Sequence, residues 1–362
     1  MPAKTPRESS LELLRILCML LIIGDHLTGQ GGIADYSTLP SSFAFCLIGC
    51  GSRIACSVFV LIGCWFLCEQ PFAARRPLSL WLSLWLYTVP VTVLCALAGL
   101  DVSFGTLRWA AFPASTRQLW FVSDYLLLLL CTPLLARLLH GLPRRAHRGL
   151  LLALAVPLIV YPTLFGEDGP VSDLVWMFLY EYLLAAYLRR YPGNRLSALL
   201  RRRGAALALG VGLPLLNTAA RAWLEWQGQT GGKAFQYVAY YRTGLGALPN
   251  LLAALGLFFL FQSLDLGRRR ALNAVAGTSL GVYILHQVPA LRDVLWNGIF
   301  QAQAHHGSAL YALFVVAATF AGCAAIDALR TRLVMRPLQN SRLFRAACQK
   351  GDALAALIER CD

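Results

Sequence analysis

The stretch LELLRILCMLLIIGDHL, residues 11–27, decides how the rest of this chain is interpreted. It is an apolar run with Arg15 near its start and His26 near its end. Ser9 and Glu12 match the S-x-x-E capping box, so the pattern predicts a helix that begins just before the run. The step from residue 15 to residue 26 makes about three helical turns, so the arginine and the histidine share one helix face, about 16 Å apart.

The composition indicates an integral membrane protein, because hydrophobic residues make up 57% of the chain and charged residues only 14%. The few residues before the first run do not resemble a cleaved signal peptide, which predicts a retained transmembrane helix. A charge near the bilayer centre costs about 2.5–3.5 kcal/mol, so Arg15 and His26 are expected to face a cavity. The alternative is that both side chains snorkel to the headgroups of the two membrane surfaces.

Ten apolar runs predict an all-α membrane protein with about ten transmembrane helices. They lie near 11–27, 43–68, 79–100, 118–139, 149–165, 172–190, 204–224, 244–263, 275–299 and 308–330. One alternating set of flanking segments carries 23 basic residues, and the other set carries only Arg108, Arg117, Lys233 and Arg242. The positive-inside rule then places the N- and C-termini in the cytoplasm. This pattern accounts for most of the positive net charge without a nucleic-acid partner. We assign 1–335 to the membrane domain and 336–362 to a short basic cytoplasmic tail.

The predicted spans contain an unusual number of ionisable side chains. They are Arg15, Asp25, His26, Arg53, Asp124, Glu181, Arg221, His286, Arg292 and Asp293. Such groups can compensate one another if their helices surround a common polar cavity, although a single pair such as Arg53 with Glu181 could equally be a bridge that only fixes packing. Histidine is suited to proton transfer near neutral pH, so His26 is the candidate general base. The cysteines lack partners at metal-ligand spacing, so no metal site is predicted.

Four segments, in order along the chain, resemble the acyltransferase-3 family of multi-span membrane acyltransferases. Arg15 and His26 match the R-x10-H signature of that family. The other three segments are GSRIACSVFVLIGCWFL (51–67), LWFVSDYLLLLLCTPLL (119–135) and SLGVYILHQVPALRDVLW (279–296). The first of these three departs from the family pattern at 63–65, where Gly-Cys-Trp stands in place of Ser-Gly-Tyr. We expect that change to alter helix packing or a substrate contact.

The resemblance implies an O-acetyltransferase of the bacterial cytoplasmic membrane. Such an enzyme moves an acyl group, usually acetyl, from cytosolic acetyl-CoA to a hydroxyl of an extracytoplasmic or lipid-linked glycan. The candidate catalytic residues are His26 as base, with Arg15, Arg53 and His286 as stabilisers of the oxyanion. The candidate substrate-binding residues are Asp25, Asp124, Glu181, Arg292 and Trp120. The candidate residues for the phosphates of coenzyme A are Arg75, Arg76 and Arg144, each of which could alternatively serve only to set the topology.

A polytopic transporter or exporter with a charged path through the membrane is the alternative function. It explains the intramembrane charges equally well. It does not explain the spacing of Arg15 and His26, and the chain lacks the internal repeat that many transporter folds show. The sequence contains no P-loop and no G-x-S-x-G motif, so neither an ATP-driven machine nor a serine hydrolase is indicated.

The predicted topology is testable by cysteine labelling on a cysteine-free background. We expect a membrane-impermeant maleimide to label a single cysteine at Gly31 in intact cells and to leave one at Lys4 unlabelled, because the first helix runs outward. Disrupted cells, in which both positions must react, provide the control. Labelling of position 4 in intact cells would contradict the cytoplasmic N-terminus.

Overall fold

The computed structural model describes residues 8–117, 119–165, 174–241 and 247–360. Within these ranges the chain forms helices and no strand, which confirms the predicted all-α class. Two residues named in the sequence analysis, Lys4 and Arg242, lie outside the described residues.

The helices follow one another with short connections. Their bounds are α1 Ser9–Gln30, α2 Leu39–Ile48, α3 Ser52–Leu67, α4 Arg75–Leu97, α5 Phe104–Ala111, α6 Trp120–Gly141, α7 Arg144–Phe165, α8 Leu174–Arg190, α9 Arg195–Leu200, α10 Arg203–Gln229, α11 Leu248–Gln262, α12 Arg270–Gln287, α13 Pro289–Ile299, α14 Ala309–Asn340 and α15 Arg342–Arg360. Single π-helical turns interrupt α7, α10 and α14.

Several helices are long and apolar enough to cross a membrane, so the chain is a multi-pass membrane protein. In the described part of the chain six candidates meet this test: α2 with α3, α4, α6, α7, α10 and α14. The bent pair of α12 and α13 adds a seventh if it counts as one crossing. Each of the ten predicted apolar runs overlaps a helix, whereas the count of ten crossings and the cytoplasmic location of both termini stay predictions. The boundary predicted at residue 335 falls inside α14, and α15 follows directly.

Many of the arginine-bearing helix ends meet at one end of the bundle, called the basic end below. There the Ser9 hydroxyl of α1 accepts a hydrogen bond from the Arg269 backbone N–H at 2.9 Å. Arg189 at the end of α8 forms an ion pair with Glu69 just after α3, and this hydrogen bond lowers the pKa of the Glu69 carboxyl. The backbone N–H of Ala74, just before α4, donates to Asp352 of α15 at 2.7 Å.

The α12 helix ends inside the bundle because Pro289 cannot continue it. Proline lacks the N–H that the helix needs, and its ring disfavours helical backbone at the preceding residue, Val288. Val288 accordingly has φ −58° and ψ 120°, and α13 leaves at 80° to α12. A broken helix is tolerated at membrane depth where protein encloses it or where it lines a cavity. The break leaves His286 and Gln287 buried in the last turn of α12.

A close helix contact joins α12 to α14 at Gly281. A Cβ atom at this position would lie 2.2 Å from Oδ1 of Asp327 on α14. The same Asp327 carboxylate accepts hydrogen bonds from the Tyr87 hydroxyl of α4 and, at 2.9 Å, from Arg330. The absence of a side chain at Gly281 therefore lets three helices converge on one carboxylate.

Gly281→Ala is expected to destabilise the protein by about 1–3 kcal/mol, because the added methyl group must displace Asp327 from its partners. The melting temperature of the purified protein in detergent measures this effect. Gly322→Ala on α14 is the matched control, since a Cβ there meets no atom within 4 Å. Equal melting temperatures for the two variants would contradict the proposed packing role.

Candidate functional site

The two histidines predicted on the first and ninth spans meet in the structure. Nδ1 of His26 on α1 lies 2.9 Å from Nε2 of His286 on α12. His286 is fully buried, and its Nδ1 lies 2.6 Å from the carbonyl oxygen of Val282, one turn earlier. The imidazole pair thus joins residues 260 positions apart in the chain.

The hydrogen-bond partners determine which ring nitrogens carry protons. A carbonyl oxygen only accepts, so the proton of neutral His286 must be on Nδ1, facing Val282. Nε2 of His286 then accepts the Nδ1–H of His26, which leaves Nε2 of His26 unprotonated. That nitrogen can take up a proton, and the second ring supports it as an orienting group. Such an arrangement can hold a general base in a fixed orientation through a chain of hydrogen bonds.

Aromatic rings enclose the imidazole pair. The ring of Tyr283 lies 6.4 Å from that of His26 and 6.1 Å from that of His286, and Trp296 packs against His286 at 6.3 Å. Arg292, a predicted substrate-binding residue just beyond the break, is an electrostatic neighbour of His26. The imidazole pair therefore lies among aromatic side chains, with Arg292 as a charged neighbour.

Two adjoining cavities run from the basic end toward Tyr283, the aromatic neighbour of the imidazole pair, and neither His26 nor His286 is among their lining residues. The larger has a volume of 680 Å³, and its polar lining includes Arg15, Gln70, Arg76, Asp327, Arg330 and Gln339. The smaller, of 250 Å³, is lined mainly by apolar and aromatic side chains. Arg15 lines both cavities, which supports a cavity-facing side chain rather than one that snorkels to the membrane surface. Ile22, one turn before His26, lines the smaller cavity together with Tyr283.

Three arginines face the larger cavity, each with different partners. Arg15 pairs with Glu12 one turn earlier at 3.1 Å, and Arg330 pairs with Asp327 at 2.9 Å. Arg76 instead donates to two neutral groups, the carbonyl oxygen of Pro71 and the amide oxygen of Gln70. The hydrogen-bond partners of Arg76 are therefore neutral, and its charged neighbour is the carboxylate of Asp352.

Other predicted site residues lie in a second polar cluster rather than at the imidazole pair. Asp25 has Ser52 as its hydrogen-bonding neighbour, with Arg53 and Arg221 close by. Arg221 of α10 also pairs with Glu225 at 3.4 Å. Asp25 and Arg53 thus belong to a cluster that ties α1, α3 and α10 together, and Arg53 itself is exposed.

Three further candidates are distributed over α6 and α8. Asp124 is buried and forms an ion pair with Arg117 at 2.9 Å. Glu181 is fully buried and faces Ser57 of α3. Trp120 packs edge-on against Phe121 and near Phe178.

Two predicted phosphate-binding residues do not line the larger cavity. Arg75 donates a hydrogen bond at 3.2 Å to Gln339, which lines the cavity, so Arg75 lies at the margin of the cavity. Arg144 lies elsewhere, with its guanidinium 5.4 Å from the centre of the Tyr191 ring. Of the three predicted arginines, only Arg76 faces the cavity directly.

A comparison with protein families matches residues 8–328 of the chain to the model described as an acyltransferase domain, Acyl_transf_3. The chain belongs to the acyltransferase-3 family. The match covers nearly the whole chain and confirms the resemblance found in the sequence. No curated protein and no solved structure matches the chain.

The departure from the family pattern at 63–65 has a structural counterpart in this acyltransferase. A Cβ atom at Gly63 would lie 2.2 Å from the hydroxyl oxygen of Tyr125 on α6. Both residues line the larger cavity. Gly63 therefore leaves space for a tyrosine that a serine at the same position would displace.

Sequence reasoning missed the carboxylate and guanidinium on α14. Asp327 falls within the predicted tenth span but is absent from the set of intramembrane charges, and Arg330 is one of the 23 basic residues that flank the spans. Their spacing of three residues on one helix is the signal that could have paired them. Tyr87, which donates to Asp327, carried no such signal.

His286→Ala is expected to reduce acyl transfer by about 10²–10⁴-fold, because His26 would lose the acceptor that orients its ring. Turnover and membrane insertion should be measured together, with His140→Gln, an exposed histidine on α6, as the control. Wild-type turnover in His286→Ala would reduce this histidine to a packing residue.

Proposed function

We propose that this acyltransferase is an O-acyltransferase of the bacterial cytoplasmic membrane. It moves an acyl group, acetyl in the simplest case, from cytosolic acyl-CoA to a hydroxyl of an extracytoplasmic or lipid-linked glycan. The observation that carries the proposal is an imidazole pair with an unprotonated Nε2 on His26, beside Tyr283, which lines the smaller of two adjoining cavities that extend from the basic end.

The larger cavity has the chemistry that acyl-CoA needs. Coenzyme A carries phosphate groups, and guanidinium groups bind phosphates through paired hydrogen bonds. Arg76, with its neutral partners, is the primary phosphate ligand, and Arg15 and Arg330 add positive charge around it. The smaller cavity takes the apolar part of the pantetheine arm and brings the thioester toward His26.

The transfer step balances without a metal or an oxidant. Nε2 of His26 takes the proton of the acceptor hydroxyl while its oxygen bonds to the thioester carbonyl carbon. The carbon–sulfur bond then breaks, and the proton passes from His26 to the leaving thiolate, which yields an ester and free coenzyme A. Arg292, near His26, offers positive charge to the oxyanion that forms between these events.

The acceptor side of the proposal rests on two amide side chains beyond the histidines. Gln30, one turn after His26, accepts a hydrogen bond from the Gln287 amide at 3.2 Å. Gln287 is the neighbour of His286 in the chain. Amide groups both donate and accept, which suits them to the hydroxyl groups of a sugar. The pair lies on the side of His26 away from Arg15, where an extracytoplasmic acceptor would arrive.

A transporter would use the same adjoining cavities, and this observation makes it the second candidate. Permeation does not require two imidazoles with assigned donor and acceptor roles, whereas proton transfer does. Membership of an acyltransferase family favours transfer over transport.

Substitutions of His26 and Arg15 are expected to impair different steps, transfer and acyl-CoA binding respectively. His26→Gln is expected to reduce transfer by about 10²–10⁴-fold and leave acyl-CoA affinity unchanged, because a base acts mainly in the transition state. Arg15→Lys keeps the charge but loses the planar guanidinium, so it should weaken acyl-CoA binding. Calorimetry with the protein in nanodiscs measures affinity, and mass spectrometry of glycans from expressing cells measures transfer.

Arg148→Lys is the control for the arginine variant, since Arg148 is exposed at the start of α7. Near wild-type transfer by His26→Gln would overturn the proposed base and bring the transporter forward. Glycans of unchanged mass in cells with and without the protein would overturn the glycan acceptor.

A further inference from the structure

The two cavities meet at a small set of shared residues. These are Arg15, Leu80, Tyr125, Gly277 and Leu280. Tyr125 is the aromatic member of the set. A ligand that extends from the polar cavity into the apolar one must therefore pass the Tyr125 ring.

The ring of Tyr125 is held from two sides. Phe121, one turn earlier on α6, stacks on it with ring centres 6.2 Å apart and an angle of 3° between the planes. On the other side its hydroxyl oxygen lies against the backbone of α3, in the space that Gly63 leaves open. Any side chain at position 63 would push the ring out of this seat.

The cavity beyond this ring is small. Its volume of 250 Å³ falls below the range of about 300–1,000 Å³ that is usual for pockets that enclose drug-sized ligands. Phe59, Phe121 and Tyr283 form aromatic walls that extend from Tyr125 toward the histidines. A slender arm with a short acyl group fits such a space, and a longer acyl chain must displace side chains that line it.

We infer that Tyr125, seated by Gly63, is the residue that restricts the donor to short acyl chains. The inference rests on the proposed acyl-CoA donor and deepens it by naming what selects the acyl group. Tyr125 acts by its position at the junction of the cavities, and the chemistry stays with His26.

Donor selectivity is the direct test. Acetyl-CoA, butyryl-CoA and octanoyl-CoA are titrated into the protein in nanodiscs, with free coenzyme A as reference, and the ratio of octanoyl to acetyl affinity is compared between variants. Tyr125→Ala is expected to shift this ratio toward octanoyl-CoA by about tenfold or more, because one methylene in an apolar pocket already changes affinity by about tenfold. Tyr237→Ala, an exposed tyrosine, is the control.

The seat of the ring is tested separately. Gly63→Ala should weaken binding of all three donors, because the new methyl group drives the Tyr125 hydroxyl into the junction. Gly63→Ala with Tyr125→Phe should recover most of the loss, since the clashing atom is gone and the next ring atom lies 3.2 Å from the Cβ. Gly212→Ala, which meets no atom within 4 Å, is the glycine control.

The outcomes distinguish the role of Tyr125 from the binding of acyl-CoA itself. Acyl-CoA binding with the same chain-length ratio in wild type and Tyr125→Ala would overturn the role of Tyr125 alone. Failure of the double variant to recover would overturn the seat at Gly63. Failure of the wild-type protein to bind any acyl-CoA would overturn the donor, and with it this inference. If Tyr125→Ala does not fold, Tyr125→Leu is measured in its place.

Discussion

The hydrogen bond between His26 and His286 is the interaction on which the site depends. It connects the first helix to a helix near the end of the chain. The Val282 carbonyl oxygen fixes the proton of His286 on Nδ1, and the bond between the rings then fixes the proton of His26 on its own Nδ1. A neutral imidazole has one donor nitrogen and one acceptor nitrogen, so fixing which nitrogen donates in one ring also fixes the donor and the acceptor in the next ring. The bundle buries the ring of His286 fully and that of His26 in part, which holds the two rings in this orientation.

Charge that lines the larger cavity is compensated locally. Arg15 has Glu12 one turn away, and Arg330 has Asp327 at the same spacing. Pairs within one helix form with the helix itself, so they do not depend on the correct docking of two elements. The acidic partner in each pair lowers the free-energy cost of moving the guanidinium from water into a protein-lined cavity. Arg76 differs, because both of its hydrogen-bond partners are neutral.

Much of the helical framework could be predicted from the sequence, because apolar length and charge placement act locally. The placement of Arg15 and His26 on one helix follows from periodicity in the same way. The contact between His26 and His286 could not be derived, since it depends on how helices 260 residues apart dock. Packing likewise placed Asp25 and Arg53 in a separate cluster with Arg221. Arg144 packs against Tyr191 instead of lining the cavity. This could not be predicted, because the positions of basic residues along the chain do not show which of them adjoin a cavity.

The interruption of α12 at Pro289 has an electrostatic consequence. A helix that stops inside the bundle presents its last carbonyl oxygens there, and these carry a partial negative charge of about half an electron. His286 lies in this last turn, where the Ile284 carbonyl oxygen accepts a hydrogen bond from the backbone N–H of Val288. In the proposed transfer step, the positive charge on the imidazole pair would therefore form beside the carbonyl end of a helix. The proline that breaks a membrane helix thus brings the carbonyl end of α12, without any acidic side chain, next to the ring of His286.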